Sequence, residues 1–347
     1  MNLMLRKYFL LIAAILFLIV SCGKDTEDVV NRGPNTSQTE DWMQDLIAKY
    51  PDRNFTLKDI CIPRAHDAGM YELNTCTGGN ACNTQTQDQT MRSMLEMGIR
   101  LFDVRPIPIN GEYWTYHRTS CGGLGCEGAL LRSFLEETKA FLDEHNELVI
   151  FEMNNLCNTS SQDAELVALM QDVLGNTLYK LNAPLDEDFI LTPLNEIIPP
   201  SNSGGKVVLL FSDLNTSNDS PAQGLFAYDF IPISGSYANS PDIDYVIANQ
   251  LQKFQNFNSV DNRLFKVSYT FTLDIANAVS CLSNPEVASS IEELSLEGRS
   301  RMSDVIDSWI ANGFITKNKI PNIFSVDYCN TEVTMECIRL SELSLEL

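Results

Sequence analysis

Positive charge is scarce in this sequence. Its 347 residues include 24 Lys and Arg against 46 Asp and Glu, which gives a formal net charge of −22. A chain this acidic is a poor candidate for binding nucleic acid or for electrostatic docking on an anionic lipid surface. We therefore expect no nucleic-acid partner, and we expect any approach to a membrane to use local apolar contacts.

Long apolar runs are also scarce. The longest covers residues 9–20 and is too short for a comfortable membrane-spanning helix. Arg6 and Lys7 precede it and Cys22 closely follows it, as in a secretory signal. The ending over 18–22 resembles a bacterial lipobox, in which the cysteine is lipidated and becomes the mature N-terminus. An uncleaved anchor helix is the alternative.

The lipobox resemblance implies an organisation for the whole chain. We predict a signal peptide over 1–22 that ends at a lipidated Cys22, a flexible polar tether over 23–40, and one folded domain over 41–347. The acidic stretch after Cys22 is similar to a surface-export signal of bacterial lipoproteins. The resemblance implies a location in the bacterial cell envelope, with the lipid anchored in the outer membrane and the domain exposed at the surface.

Histidine is rarer than any charged residue type, with three in the chain, and none has the spacing to cysteine pairs that a zinc site requires. The ten cysteines of an exported chain instead favour disulfides. With Cys22 set aside, an odd number remains, so at least one thiol stays unpaired. Spacing leaves the connectivity open, and the local pairs that it favours are Cys76/Cys82, Cys121/Cys126 and Cys329/Cys337.

Strand-like and helical patterns alternate along the chain, with no break in composition. The strand-like runs are 55–62, 99–104, 113–116, 147–153, 206–213, 229–234, 264–273 and 323–326. The helical patterns are 42–50, 88–97, 130–142, 164–174 and 290–312. This alternation predicts an α/β fold built as a single barrel, although the length also permits two domains.

Three of the strand-like runs end in polar clusters. His66 and Asp67 follow the first, Asp103 and Arg105 end the second, and His117 ends the third. Parallel barrels build their active sites at the C-terminal ends of strands, so these side chains are expected to converge. Two imidazoles, carboxylates and a guanidinium are suited to in-line attack at phosphorus, with one base, one acid and one phosphate ligand.

These clusters resemble the catalytic X region of the phosphatidylinositol-specific phospholipase C family. The likeness spans roughly 45–335, and its specific segments are 62–69, 98–106, 114–118 and 321–328. It implies a distorted TIM barrel. It also implies that His66 is the general base, that Asp327 fixes its tautomer, and that Asp67 orients groups or, in calcium-using relatives, occupies a metal-ligand position.

By the same resemblance, Arg105 binds the phosphate oxygens, and His117 is the general acid that pairs with Asp103. Calcium-dependent relatives have an acidic ligand where Arg105 stands, so we expect no metal cofactor, with calcium as the minority alternative. Asn154 departs from the family, which has Lys or Glu there, although Glu152 shares its strand face. Residues that resemble headgroup contacts at the barrel mouth are Lys206, Tyr237 and Tyr269, and core packing is the alternative for Tyr269.

The sequence therefore predicts a monomeric surface lipoprotein with phospholipase C-like activity. Its substrate is expected to be an inositol phospholipid or a related phosphodiester, cleaved by 2-hydroxyl attack to a cyclic inositol phosphate and diacylglycerol. Two alternatives stay open: a phosphodiesterase that acts on another glycerophosphodiester or a glycosylated inositol lipid, and a surface binding lipoprotein without turnover.

Overall fold

The computed structural model describes residues 39–157, 160–182, 188–198, 204–212 and 220–346. All of them belong to one compact unit. The predicted signal peptide, Cys22 and most of the predicted tether lie outside these ranges. Thr39, which the sequence placed in the tether, is fully buried, and its hydroxyl donates to the carbonyl of Glu96 at 2.7 Å. The packed part of the chain thus begins slightly earlier than predicted.

The described ranges contain twelve β-strands. They are β1 (Ile62–Ala65), β2 (Cys76–Thr77), β3 (Leu101–Val104), β4 (Pro106–Ile109), β5 (Glu112–Arg118), β6 (Gly125–Leu130), β7 (Leu148–Met153), β8 (Lys206–Phe211), β9 (Leu225–Ala227), β10 (Ile233–Ser234), β11 (Leu264–Tyr269) and β12 (Ile323–Val326).

The same ranges contain eleven α-helices. They are α1 (Trp42–Lys49), α2 (Ala81–Thr84), α3 (Met91–Glu96), α4 (Leu131–Glu144), α5 (Ser160–Leu174), α6 (Leu194–Ile197), α7 (Ile243–Asn256), α8 (Ile275–Ser283), α9 (Ile291–Ser300), α10 (Met302–Ala311) and α11 (Thr331–Leu345). None of the helices in the described ranges combines the length and the apolar character that crossing a bilayer requires.

Eight strands form a curled parallel sheet in the order β10-β11-β12-β1-β3-β7-β8-β9. Every neighbouring pair in this order is parallel. Within the described ranges β9 and β10 do not pair with each other, so the barrel is open at that point. The predicted α/β fold of the distorted TIM-barrel type is therefore confirmed.

The interior of the barrel changes character along the strands. At the N-terminal ends, inward-facing side chains such as Ile62 and Ile323 join an apolar core that α1 closes from below. Two residues later the same face carries Arg64 and Ser325, which are hydrogen-bonded to each other. Since strand residues alternate between faces, the barrel has an apolar lower half and a polar upper half. A second apolar core fills the space between the strands and the outer helices.

A second sheet, with the antiparallel order β2-β6-β5-β4, stands beside the barrel. It carries the run 113–116, which the sequence placed in the barrel as a third strand. That expectation was wrong, because residues 106–130 leave the barrel after β3 and return at α4. His117 therefore approaches the barrel mouth from an accessory sheet and not from a barrel strand.

Several boundaries also differ from the sequence expectations. The run 55–62 contributes only Ile62 to a strand, because Phe55, Leu57 and Ile60 pack into the apolar core below the barrel. The helical pattern 290–312 is two helices, α9 and α10, which meet at Arg301. Helices α7, α8 and α11 were not predicted, and residue 213 lies outside the described ranges.

All three predicted local disulfides were wrong. The structure links Cys76 to Cys126, Cys82 to Cys281 and Cys121 to Cys157, and leaves Cys61, Cys329 and Cys337 as buried thiols. The partners are 50, 199 and 36 residues apart in sequence. Pairing depends on which segments the fold brings together, and β2 lies against β6. The disulfides fasten the accessory sheet and its loops around the barrel mouth.

Candidate active site

A cavity of about 580 Å³ opens at the C-terminal ends of the barrel strands. The expected site residues that line it are His66, Asp103, Arg105, His117, Asn154 and Tyr237. Asp67, Asp327 and Glu152 are buried, and each contacts residues that line the cavity. The convergence that the three polar clusters predicted is therefore present.

His66 follows β1 and is held by a carboxylate from the neighbouring strand. Its Nδ1 lies 2.8 Å from Oδ1 of Asp327, which follows β12. An ionised carboxylate can only accept a hydrogen bond, so Nδ1 carries the proton. Nε2 is then the basic atom, and Nη2 of Arg105 lies 3.2 Å from it. This is the tautomer that a general base requires.

The pKa of His66 is raised above its ordinary value of 6.5. Burial opposes the charged imidazolium and Arg105 adds to that effect, but the carboxylates of Asp67 and Asp327 outweigh both. The side chain is 27% exposed, so water can reach the ring. A base with a raised pKa becomes competent only at correspondingly higher pH.

The backbone around His66 is in unusual conformations. Asp67 and Tyr328, which directly follow His66 and Asp327, have φ angles of +43° and +48°. Such values are costly for residues other than glycine and tend to occur at functional sites. The buried Gln87 side chain holds the two segments together: it donates to the carbonyl of His66 at 2.8 Å and accepts from the second backbone amide after Asp327 at 3.0 Å.

Arg105 lies between two carboxylates. Its Nε is 2.6 Å from Oδ1 of Asp67, and its Nη2 is 3.0 Å from Oδ2 of Asp103. Asp103 also accepts from the side-chain amide of Asn154 at 3.1 Å. Burial alone would raise the pKa of Asp103, but Arg105 and Arg64 hold it well below its usual range. The guanidinium is thus fixed in place, and its side chain is 20% exposed toward the cavity.

His117 has different neighbours from those expected. Its Nδ1 lies 2.9 Å from the carbonyl oxygen of Thr84 and 3.7 Å from Oδ2 of Asp67. The predicted partner, Asp103, is instead bound to Arg105, Arg64 and Asn154. That prediction was wrong because β5 belongs to the accessory sheet, which brings His117 to the Asp67 side of the site. A carbonyl can only accept, so Nδ1 of His117 also carries a proton.

A buried ion network supports the cavity from below. Nε of Arg64 donates to Oε2 of Glu152 at 2.5 Å, and its Nη2 is 3.3 Å from Oδ2 of Asp103. The hydroxyl of Tyr228 donates to the other oxygen of Glu152 at 2.8 Å. Glu152 is therefore committed to this network and does not line the cavity. Breaking such buried pairs is costly, because it leaves an uncompensated charge.

Comparison with known proteins bears on this arrangement. Residues 60–211 match the family model described as phosphatidylinositol-specific phospholipase C, X domain. PI-PLC X domain-containing protein 2 of Mus musculus is 28% identical over 179 residues, which are 42% of this chain and 50% of that protein. The chain thus spans about half the length of this curated relative. The resemblance to the phosphatidylinositol-specific phospholipase C X-domain family is confirmed.

Solved structures share the fold over a longer range than the X domain. The phosphatidylinositol-specific phospholipase C of Listeria monocytogenes has a TM-score of 0.59 at 17% identity, over 87% of this chain and 98% of that one. The Staphylococcus aureus enzyme has a TM-score of 0.56 at 17% identity, over 88% and 98%. At this identity the likeness establishes the fold alone.

The X domain match contains five of the six residues expected to be catalytic. The sixth, Asp327, lies outside residues 60–211 but reaches His66 because β12 pairs with β1. Lys206 is not at the barrel mouth: it begins β8, at the opposite end of the strand, and its ammonium binds the carbonyl of Asn176. Tyr269 packs in the core on Phe271 and Phe324 and donates to a backbone carbonyl.

Sequence reasoning missed several residues in and around the X domain. They are Arg64, Thr84, Gln87, Tyr228 and Lys266. A signal for Arg64 was present, because it lies two residues before His66 and therefore on the same strand face. No local signal marks the carbonyl of Thr84 or the amide of Gln87, since both act through contacts distant in sequence.

One group of described residues could hold a metal ion, namely His66, Asp67 and Asp103, with one ligand atom from each lying within 4.8 Å of the others. The residues do not fit calcium well as they stand. The guanidinium of Arg105 already bridges Asp67 and Asp103. A divalent ion between these carboxylates would lie beside a permanent positive charge.

Proposed function

We propose that this chain is a phospholipase C-like phosphodiesterase that cleaves phosphatidylinositol-type phosphodiesters. The observation that carries the proposal is the convergence of His66, Arg105 and His117 on one cavity, with a carboxylate behind the first imidazole. The 2-hydroxyl of inositol attacks phosphorus, and the bond from phosphorus to the glycerol oxygen breaks. The products are a cyclic inositol phosphate and diacylglycerol.

His66 is proposed as the general base. Its Nε2 is free of the proton because Nδ1 donates to Asp327. It takes the proton of the 2-hydroxyl as the new O–P bond forms, and Asp327 then stabilises the imidazolium. A positioned base of this kind typically contributes about 10²–10⁴-fold in rate.

His117 is proposed as the general acid. The carbonyl of Thr84 keeps a proton on Nδ1, so Nε2 is the atom that transfers a proton to the departing glycerol oxygen. Oδ2 of Asp67 lies 3.7 Å from Nδ1 of the same ring. One proton is taken and one is given, so the protein returns to its starting charge after the two imidazoles re-equilibrate.

Arg105 is proposed to bind the non-bridging phosphate oxygens, and the reaction is proposed to need no metal. The guanidinium is held by Asp67 and Asp103 but is still partly exposed to the cavity. It supplies at this place the positive charge that a metal ion would otherwise supply, and it has the planar geometry that suits phosphate.

An apolar groove beside the cavity supports a lipid leaving group. It has a volume of about 390 Å³ and shares His117 with the cavity. Leu124 and the α8 residues Ile275, Val279 and Leu282 line it, and Ile275 is 84% exposed. A groove of this kind next to the proposed acid suits a leaving group with acyl chains. We propose that the chain acts as a monomer, tethered to the bacterial outer membrane through lipidated Cys22.

Two other functions remain as competing hypotheses. The same histidines would serve on another glycerophosphodiester or on a glycosylated inositol lipid, because the reacting atoms are similar. A binding protein without turnover would keep the cavity but not need both proton positions. The pairing of each imidazole Nδ1 with an acceptor favours turnover over binding alone.

Phosphorus NMR tests the proposal directly. The full chain, purified in detergent, is incubated with phosphatidylinositol in mixed micelles, with either EDTA or calcium. We expect a cyclic inositol phosphate signal in both samples. A product that forms only with calcium would contradict the role of Arg105, and no product in either sample would contradict the proposed substrate.

Alanine variants of the histidines supply the matched controls. We expect His66→Ala and His117→Ala each to lower turnover at least ~100-fold. His145→Ala is the control, since His145 binds Asp41 and stacks on Phe141 far from the cavity. Near-normal turnover in either of the first two variants would remove that histidine from its proposed role.

A further inference from the structure

A lysine lies where the barrel interior is otherwise apolar. On β11, Lys266 pairs with Ile323, which in turn pairs with Ile62, and both isoleucines belong to the lower apolar core. Lys266 nevertheless lines the cavity, together with Ser268 and Arg64. Its side chain therefore rises from the lower half of the barrel into the cavity floor.

Lys266 differs from the two arginines of the cavity in having no carboxylate within ion-pair distance among the described residues. Arg64 and Arg105 are each bound to two carboxylates. In the part of the chain that the structure describes, the ammonium group of Lys266 has no hydrogen-bond or ion-pair partner. Burial lowers its pKa and Arg64 lowers it further, and the carboxylates of Glu152 and Asp103 offset this only in part. An ammonium that is half-buried without a hydrogen-bond partner is costly to retain, and an oxygen ligand in the cavity would offset that cost.

Among the described residues, the end of β7 brings no cation into the cavity. The family resemblance implies a lysine or a glutamate at the end of β7, and this chain has Asn154 there, bound to Asp103. No other strand of the barrel brings an unpaired cation into the described cavity lining. Lys266 on β11 thus supplies the cavity with its cation that has no carboxylate at ion-pair distance among the described residues.

We propose that Lys266 is a substrate-binding residue that donates hydrogen bonds to an oxygen of the headgroup remote from the reacting phosphorus. The inference rests on the proposed function and deepens it, because it concerns the part of the substrate that fills the cavity floor. Ile62 is at the same level of the barrel as Lys266, and His66 lies four residues after Ile62 in the sequence. Lys266 enters the cavity from its floor, whereas His66 lies at the C-terminal ends of the strands, so the two side chains contact different parts of one ligand.

The ligand oxygen has two chemical sources. It is either a hydroxyl of the inositol ring or an oxygen of an additional phosphate on that ring. The two share the ability to accept from an ammonium group. Comparison of phosphatidylinositol with phosphatidylinositol 4-phosphate distinguishes them, since an additional phosphate would bind the ammonium more strongly than a hydroxyl.

The test compares Lys266→Met with Lys206→Met, a lysine on β8 at the opposite end of the barrel. Three substrates are used: phosphatidylinositol, phosphatidylinositol 4-phosphate, both in detergent micelles, and 2-hydroxypropyl 4-nitrophenyl phosphate. The last has a phosphodiester and a neighbouring hydroxyl but no ring. We expect Lys266→Met to raise KM about tenfold or more for the inositol lipids, the scale of a charged hydrogen bond. For Lys266→Met, kcat on these lipids and the rate of cleavage of the minimal diester should stay within about twofold of the unchanged protein. For Lys206→Met, KM and kcat on all three substrates should stay within the same limit.

Equal losses on all three substrates would overturn the inference, because they would indicate a general electrostatic or structural effect. Unchanged kinetics would overturn it as well. Calorimetric titration of myo-inositol 1-phosphate into the unchanged protein and into Lys266→Met measures ligand binding separately from the reaction. Weaker binding by Lys266→Met in a chain that cleaves nothing would retain the binding role while the proposed function fails, and equal binding would overturn the role.

Discussion

The two histidines of the site have their proton-bearing Nδ1 atoms bound to acceptors of different charge. His66 donates to a carboxylate and His117 to a backbone carbonyl. A carboxylate raises the pKa of its imidazole because it stabilises the charged form. Asp327 therefore contributes to the pH at which the proposed base becomes active, whereas Thr84 fixes orientation without adding a charge.

We expect Asp327→Asn to move the acidic limb of the kcat/KM profile to lower pH. The pKa of His66 is raised by Asp67 and Asp327 against the effect of burial, so loss of one carboxylate lowers it. A base must be unprotonated to act, and a lower pKa extends activity toward acid. kcat should also fall at least tenfold, because the imidazole is no longer held by a carboxylate.

The measurement is kcat/KM on a soluble diester between about pH 4.5 and 9. Asp261→Asn, a change on the far surface beside Arg263, is the control and should leave the profile unchanged. An acidic limb that stays in place in Asp327→Asn would show that another group titrates.

At the residue scale, the sequence was informative where spacing within one strand decides the outcome. Asp103 and Arg105 share a face, as predicted, and their side chains lie 3.0 Å apart. It was not informative where partners come from different elements. The ion pair of Arg105 with Asp67 and the hydrogen bond of His117 to Thr84 depend on where the loops pack, which local pattern does not encode.

At the scale of elements, α8 presents, within the described ranges, an exposed apolar face that we propose contacts a lipid surface. Its residues Ile275, Val279 and Leu282 are 84%, 57% and 46% exposed and line the groove beside His117. The Cys82–Cys281 disulfide attaches the helix to α2. An apolar helix face that is fastened next to the cavity can insert without displacing the site.

We expect the double change Ile275→Asp and Val279→Asp to lower activity on phosphatidylinositol-containing vesicles about tenfold or more. Burying one large apolar side chain is worth about 1.5–3 kcal/mol, so losing two weakens surface binding strongly. Hydrolysis of a soluble diester should not change. Val260→Asp with Met335→Asp adds the same charge at exposed positions outside the groove and serves as the control. Equal losses in both double variants would contradict a docking role for α8.

Elements were predicted best where a run is apolar on both faces or strongly periodic. The strand 323–326 matches β12, and 147–153 nearly matches β7, because both are buried on both faces. Helix α8 was missed since its apolar residues face solvent and so give no core pattern. The run 55–62 was mistaken for a strand because apolar residues of a core loop have the same composition.

At the scale of the whole molecule, the net charge of −22 opposes contact with anionic lipids. Phosphatidylinositol itself carries a negative headgroup, so the protein and its proposed substrate surface repel each other at long range. Salt screens this repulsion, with a Debye length of about 30 Å at 0.01 M and about 8 Å at 0.15 M.

We therefore expect the initial rate on mixed phosphatidylcholine–phosphatidylinositol vesicles to rise several-fold between 10 and 150 mM NaCl, the concentrations at which the Debye length falls from about 30 to about 8 Å. The rate on a soluble phosphodiester should change much less, because such a substrate is not part of a charged membrane surface. The vesicle rate is measured in both salts with the same lipid concentration. A rate that falls with salt would indicate an attractive basic patch that the overall charge does not reveal.

Barrel architecture was predictable because alternation of apolar runs and helical patterns is a property of the whole chain. The detachment of residues 106–130 into a separate sheet was not, since an antiparallel hairpin and a barrel strand have similar local patterns. The disulfides were mispredicted for a related reason: Cys82 and Cys281 meet across 199 residues.

The accessory sheet gives the barrel an exchangeable part. It carries His117 on β5 and is joined to the barrel between β3 and α4. Cys76–Cys126 links its strands β2 and β6, and Cys121–Cys157 ties the loop between β5 and β6 to the segment after β7. On the proposed mechanism, replacement of the hairpins would change the residues that face the leaving alcohol, while the strands that hold the proposed base and phosphate ligand would stay as they are. Leaving-group preference and nucleophile activation would then be set by different parts of the chain.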